Sequence, residues 1–146
     1  MQVTHSAFTD AQQTNESNRS AQVYSDLDLF FTRKDTKDVN ILKDIQSVKR
    51  SVRNLVLMNH YEKPFHPEIG SGIREMLFEN MNPITANILA AKVEEVINNY
   101  EPRALLEGVT AAPNFDNNSY KLTVQFTVIN IPTDLQEVEV FLERLR

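Results

Sequence analysis

Cysteine is absent from the 146 residues, which excludes a disulfide framework and a thiolate metal site and suits a reducing compartment without demanding one. Basic residues are outnumbered, 15 against 20 acidic ones for a net charge of -5. The nonspecific phosphate attraction on which nucleic-acid binding depends therefore works against this chain. No apolar run approaches the roughly 20 residues that cross a bilayer, and the amino terminus lacks the basic-then-apolar layout of a secretory signal. The expectation is a soluble protein that binds neither nucleic acid nor membrane and whose export would take another route. With 41% hydrophobic and 24% charged residues, the chain can bury one core, which predicts a single compact domain with a tail.

The tail is residues 1 to 22, MQVTHSAFTDAQQTNESNRSAQ, polar and poor in large apolar groups. Burial there cannot offset the entropy of ordering, so it reads as a flexible or partner-ordered arm. The domain is expected over 23 to 146. VYSDLDLFF places Leu27, Leu29 and Phe31 on alternate positions, the mark of a short half-buried strand. RKDTKD reads as a solvated turn, residues 39 to 42 as a brief extended segment, and Asp44 as the cap of a helix.

That helix is predicted over 45 to 58, because Ile45, Val48, Val52 and Leu55 recur at offsets of three and four. Lys49, Arg50 and Arg53 fall on its other side, as an ordinary solvated face or one that meets an acidic partner. A second helix is punctuated by Asn82 as cap, Pro83 at its first position and Pro102 beyond its end. Leu89, Val93, Val96, Ile97 and Tyr100 form its apolar stripe, with Ala86 and Ala90 permitting close approach on the same face.

The last third reads as β. Leu105, Glu107, Val109 and Ala111 alternate with their neighbours, NFDNNSY supplies turn chemistry, and YKLTVQFTVI puts Tyr120, Leu122, Val124, Phe126 and Val128 on one face. QEVEVFLERLR fits a strand carrying Val138, Val140 and Leu142 on one side or a short helix. The β-branched residues at period two favour strand. The fold class is therefore α+β, a small antiparallel sheet with two main helices packed on one face. Its exposed edge strand at the C-terminus either accepts a strand from another chain or is blunted by Glu137 and Glu139.

Catalytic chemistry has little to stand on. Glu62, Glu68, Glu75, Glu79 and Glu101 lie in or near irregular segments, yet no spacing among them sets a pair at the roughly 5–10 Å that glycoside hydrolysis needs. His60, His66 and Glu68 are the one cluster of metal-ligand types and lack a diagnostic spacing, so no metal site is expected. Gly70-Ser71-Gly72 is not followed by the lysine of a phosphate-cradling loop and reads as a tight turn. More distinctive is Tyr100-Glu101-Pro102-Arg103. It is either a local Glu101–Arg103 ion pair closing a helix-to-strand turn, or a fork by which Arg103 reaches a partner's carboxylate or carbonyl groups.

The combination KPFHPEIGSGIREMLFENMNPITA, followed by NNYEPRA, closely resembles the baseplate wedge proteins of contractile-tailed bacteriophages, the sheath-initiator family often labelled lysozyme-like. The likeness runs over 23 to 146, from VYSDLD to the VINIPTDLQEVEVFL tail. Pro64, Phe65, Pro67, Gly70 and Phe78 match that family's strap, and Glu101-Pro102-Arg103 matches its Glu-Pro-Arg signature. Ile69 stands where many members carry an aromatic residue, and the arm is longer than the family needs.

The resemblance implies a structural protein of the virion, in the tail baseplate, assembled in the host cytoplasm, without enzymatic activity or cofactor. Its implied partners are the wedge core-bundle proteins, contacted by Glu101 and Arg103 with Pro102 fixing the turn, and the tail sheath protein, engaged at the handshake strand of Val138, Val140 and Leu142. The rival reading is a lysozyme-like peptidoglycan hydrolase using glutamate carboxylates. On this view the strap is architecture: Pro64 and Pro67 stiffen it, Phe65 and Phe78 anchor it, and the glycines turn it into a short helix before Asn82.

Overall fold

The computed structural model describes residues 23–30, 38–132 and 134–143, so the arm, Phe31 and nearly all of the RKDTKD turn lie outside the described residues. The chain divides into two compact units, Met1–Asp44 and Ile45–Arg146.

In the first unit, β1 (Ser25–Leu27) pairs antiparallel with β2 (Ile41–Lys43), with Leu27 opposite Ile41. The alternation of Leu27 and Leu29 does not lead to burial. Leu27 is 60% and Leu29 56% exposed, while Asp28 between them is buried. Alternation buries one face only where a second layer covers it, and a two-stranded ladder three residues long supplies none. Asp44 also departs from expectation. Its Oδ1 accepts the backbone N–H groups of Val23 at 3.0 Å and Tyr24 at 3.3 Å, so the carboxylate closes the ribbon.

The second unit holds three helices and a sheet. Helix α1 (Asp44–Leu57) buries Val48, Val52, Leu55 and Val56 at the predicted offsets. Lys49 and Arg50 on its flank are half-buried and Arg53 is exposed. Helix α2 (Ile73–Met76) is a single turn. Helix α3 (Pro83–Tyr100) begins as its sequence demands: Asn82 is extended, its Oδ1 accepts the Thr85 N–H at 2.7 Å, and Pro83 takes the position whose N–H would have no partner. Leu89, Val93, Val96 and Ile97 are its buried stripe, and Ala86 is buried with them.

Strands β3 (Ala104–Asn114), β4 (Ser119–Val128) and β5 (Gln136–Glu143) form an antiparallel sheet in the order β3-β4-β5. β4 lies at its centre with every second residue from Tyr120 to Val128 buried, and Val138, Val140 and Leu142 continue the same face on β5. These residues and the stripes of α1 and α3 make up the core; the residues between them on β4 are half-buried and those on β5 exposed.

The prediction for β3 holds in its second half only. A bulge between Leu106 and Gly108 places Leu106 opposite Phe126 but Val109 opposite Val124. The extra residue inverts the parity of the strand. Before it, Ala104 is buried and Leu105 is 57% exposed; after it, Val109 and Ala111 lie opposite the buried residues of β4, as expected.

Candidate docking site

The Glu101-Pro102-Arg103 corner is built by the end of α3. The Glu101 N–H makes a final helical bond to Ile97 O at 2.9 Å, after which Pro102 has no N–H to continue the helix. The Ala104 N–H then donates to Glu101 O at 3.1 Å, and the Ile129 N–H donates to Arg103 O at 2.9 Å, tying the corner to the end of β4. On this frame Arg103 Nε donates to Glu101 Oε1 at 2.6 Å and Nη2 to Oε2 at 2.9 Å. The third guanidinium nitrogen, Nη1, reaches Ser47 Oγ on α1 at 3.3 Å.

Glu101 is 3% exposed, whereas the Arg103 side chain keeps a quarter of its surface. A carboxylate so enclosed needs its counter-ion and its hydrogen bonds together, and a planar guanidinium supplies both at once. The local ion pair is thus present, with its acidic half inside the fold and its basic half at the surface. Ser47 escapes sequence reading. A small hydroxyl beside Val48 on an apolar stripe is the one signal it offers.

The N-terminal part of the strap, within residues 59 to 72, is held differently from expectation. Phe65 is 97% and Phe78 64% exposed, so neither ring anchors it. The tight return of the backbone turns the Phe65 ring out, and Phe78 lies beyond it, after α2. Pro64 presets the turn in which the His66 N–H donates to Lys63 O at 3.3 Å, and Phe65 takes the left-handed φ of 66° within it. Pro67 O accepts the Tyr61 N–H at 3.0 Å.

The anchor is Ser71, which sequence reading passed over. It is buried, its Oγ donates to Val56 O at 2.7 Å, and its N–H donates to Met58 O at 2.9 Å. It thereby satisfies carbonyl groups that the last turn of α1 leaves without helical partners. Gly70 is required by contact: a Cβ there would lie 2.5 Å from Asn59 C and 2.6 Å from His60 N. At the far side, Tyr100 Oη donates to Glu68 O at 3.3 Å.

β5 is a strand, as its period predicted, and it lies at the edge of the three-stranded sheet. Val138, Val140 and Leu142 point into this protein's own core. What the strand offers outward is therefore its backbone edge and the exposed alternates Glu137, Glu139, Phe141 and Glu143. Of these, Glu139 pairs with Lys121 on β4 at 2.5 Å.

The carboxylates do not assemble into acid chemistry. Glu62 accepts the N–H and the side-chain amide of Asn59, at 2.9 and 2.7 Å, and these bonds hold its carboxyl below the usual range. Glu68 is lowered too, chiefly by its own backbone N–H and then by His66, whose Nδ1 lies 3.1 Å from Oε1. A general acid for glycoside cleavage needs a raised pKa, and both shifts run the other way. His60 lines a shallow pocket together with Glu68, with its Nε2 3.0 Å from where a Cβ on Gly72 would stand. Among the described residues, no three His, Asp or Glu side chains gather as metal ligands.

The profile of a family described as "Baseplate wedge protein gp25" matches residues 43–132, which span α1, the strap, α3, β3 and β4. Baseplate wedge protein gp25 of Enterobacteria phage T4 is 31% identical over 119 residues, 82% of this chain and 90% of that protein. Two solved structures share the fold. A chain of the anti-feeding prophage baseplate has a TM-score of 0.58 at 19% identity, covering 84% of this chain and 87% of that one. A candidate tail lysozyme from Geobacter sulfurreducens has a TM-score of 0.61 at 22% identity, covering 68% and 89%.

Proposed function

This chain belongs to the baseplate wedge protein gp25 family, and from that premise we propose that it docks on the helical core bundle of a wedge through Arg103 and starts sheath polymerisation from the free edge of β5. Membership makes it a baseplate component of a contractile tail, resident in the virion. The observation that carries the docking role is the fork at the end of α3. Glu101, enclosed and fully engaged, orients a guanidinium whose outer part stays in solvent. Glu101 is then a positioning residue, Pro102 sets the turn, and Arg103 is the group that meets the partner. The strap supports this role as architecture that ties the C-terminal end of α1 to α3.

The role in sheath assembly draws on β5, whose outer edge is unpaired among the described residues. Such an edge offers a ladder of donors and acceptors to an extended segment of the tail sheath protein. The function is structural and not hydrolytic: the lowered pKa of Glu62 and Glu68 and the ion-paired state of Glu101 suit none of them to proton donation.

The test is co-purification of the full chain and its Arg103→Lys variant with the wedge core proteins. Lysine keeps the charge that compensates Glu101 but loses the planar fork. The expected result is binding by the wild type and loss in a variant of unchanged circular dichroism. Equal binding by the folded variant rejects the docking fork. Absence of binding by the wild type, together with release of peptidoglycan fragments, would establish the hydrolase in its place.

A further inference from the structure

A groove of about 290 Å³, mostly apolar, runs beside the last residues of β5. Leu57, Leu77 and Phe78 line one side, and Phe141, Leu142 and Glu143 line the other. Successive side chains of a strand point to opposite faces, so a groove lined by three consecutive residues, Phe141, Leu142 and Glu143, reaches the backbone of β5 as well as its side chains, with Leu57, Leu77 and Phe78 across from it. Leu57 is 37%, Phe78 64% and Phe141 64% exposed, so large apolar groups face solvent along the rim.

We propose that this groove is the specificity pocket of the β5 edge, and that its occupant is a large apolar side chain carried by the extended segment that pairs with β5. The inference rests on the strand-addition reading above and deepens it. Three observations select this occupant. The groove is continuous with the unpaired edge, so whatever fills it also meets backbone donors and acceptors, which an extended chain satisfies and a docked helix does not. Alternate residues of an added strand would point to the side of Leu57, Leu77 and Phe78, so one side chain, at the level of Leu142, enters the groove while its neighbours stay outside. The lining is apolar where that side chain ends, and burying an apolar anchor there removes Leu57 and Phe78 from water as well. Backbone pairing supplies affinity for any extended segment. The groove restricts it to segments with a leucine, isoleucine, methionine or phenylalanine in the correct register.

The test uses the full chain and the purified tail sheath protein. Binding is measured for the wild type, for Phe78→Asp, which sets a charge on the groove wall, and for Phe65→Asp, a more exposed aromatic outside the groove. Amide exchange over residues 136 to 143 reports strand addition independently. The expected result is at least about tenfold weaker binding for Phe78→Asp, no change for Phe65→Asp, and protection of the β5 amides in the wild-type complex. Phe78→Asp bears an exposed substitution, and an unchanged melting temperature certifies its fold; should it melt early, Phe78→Ser serves in its place. If the wild type binds with β5 protected and the groove variant binds equally well, the anchor is rejected and strand addition stands. If the wild type leaves β5 unprotected, strand addition fails and the anchor falls with it.

Discussion

Arg103 and Glu101 act as one group. Two charge-assisted bonds, at 2.6 and 2.9 Å, hold a carboxylate that solvent does not reach, and the guanidinium takes its orientation from it. The contrast within the same core is Tyr120. It is 2% exposed, and its hydroxyl is the one buried side-chain polar atom without a hydrogen bond among the described residues. A buried donor without a partner loses its hydration for nothing in return. Replacing it with phenylalanine keeps the ring that faces Leu142 across the sheet and removes the cost. Tyr120→Phe should raise stability by about 1 kcal/mol, read as a later midpoint in urea unfolding with an unchanged slope.

At the scale of the element, the strap shows how a segment with almost no buried side chains is nonetheless well defined. Residues 61 to 68 are all exposed, so its order comes from the two ends and from turns, not from a hydrophobic anchor. Ser71 fastens its C-terminal end to α1, Tyr100 touches the same end through Glu68 O, and the Glu62–Asn59 bonds close the start. Gly70 is the weak point of that scheme, because the chain passes against the backbone of Asn59 and His60, where no side chain can yield. Gly70→Ala should destabilise the protein by roughly 1–3 kcal/mol as the crowded backbone shifts. In thermal unfolding the loss should exceed that of Pro64→Ala, which removes stiffness and no contact of this kind.

At the scale of the molecule, the sheet separates the two proposed docking surfaces. Arg103 precedes β3 on one side of the β3-β4-β5 order, and β5 with its groove forms the other, so the two proposed partners need not compete for one face. Their physical character differs as well. The corner offers a partly solvated charge, whereas the β5 side offers backbone groups and an apolar groove on a protein of net charge -5. Raising salt from about 0.1 M to about 1 M shortens the Debye length from about 10 Å to about 3 Å. Binding of the wedge core proteins should weaken across that range, while binding of the sheath protein should hold or strengthen. Equal salt dependence in titrations of the two would show that they share a mode of recognition.

Periodicity and punctuation alone determined α1, α3 and β4, because Val48-Val52-Leu55, Asn82-Pro83 and the alternation from Tyr120 to Val128 each encode one element within a few residues of chain, whereas for β5 they favoured strand over a short helix. The α+β class was legible for the same reason, and so was the Glu101–Arg103 ion pair that closes the corner after α3. Tertiary structure alone decided the rest. Whether alternation means burial depends on a covering layer: the alternate residues of β4 are buried under one, whereas Leu27 on β1 is left 60% exposed. The parity of β3 turns on a bulge at Glu107 that only pairing with β4 reveals. The Phe65 and Phe78 rings looked like anchors by residue type, yet the turn at Pro64 leaves Phe65 in solvent and Phe78 is 64% exposed, while Ser71 fastens the strap to α1. The groove beside β5 depends on Leu57, Leu77 and Phe78 standing across from Phe141, Leu142 and Glu143, a juxtaposition of segments remote in sequence that no local pattern records.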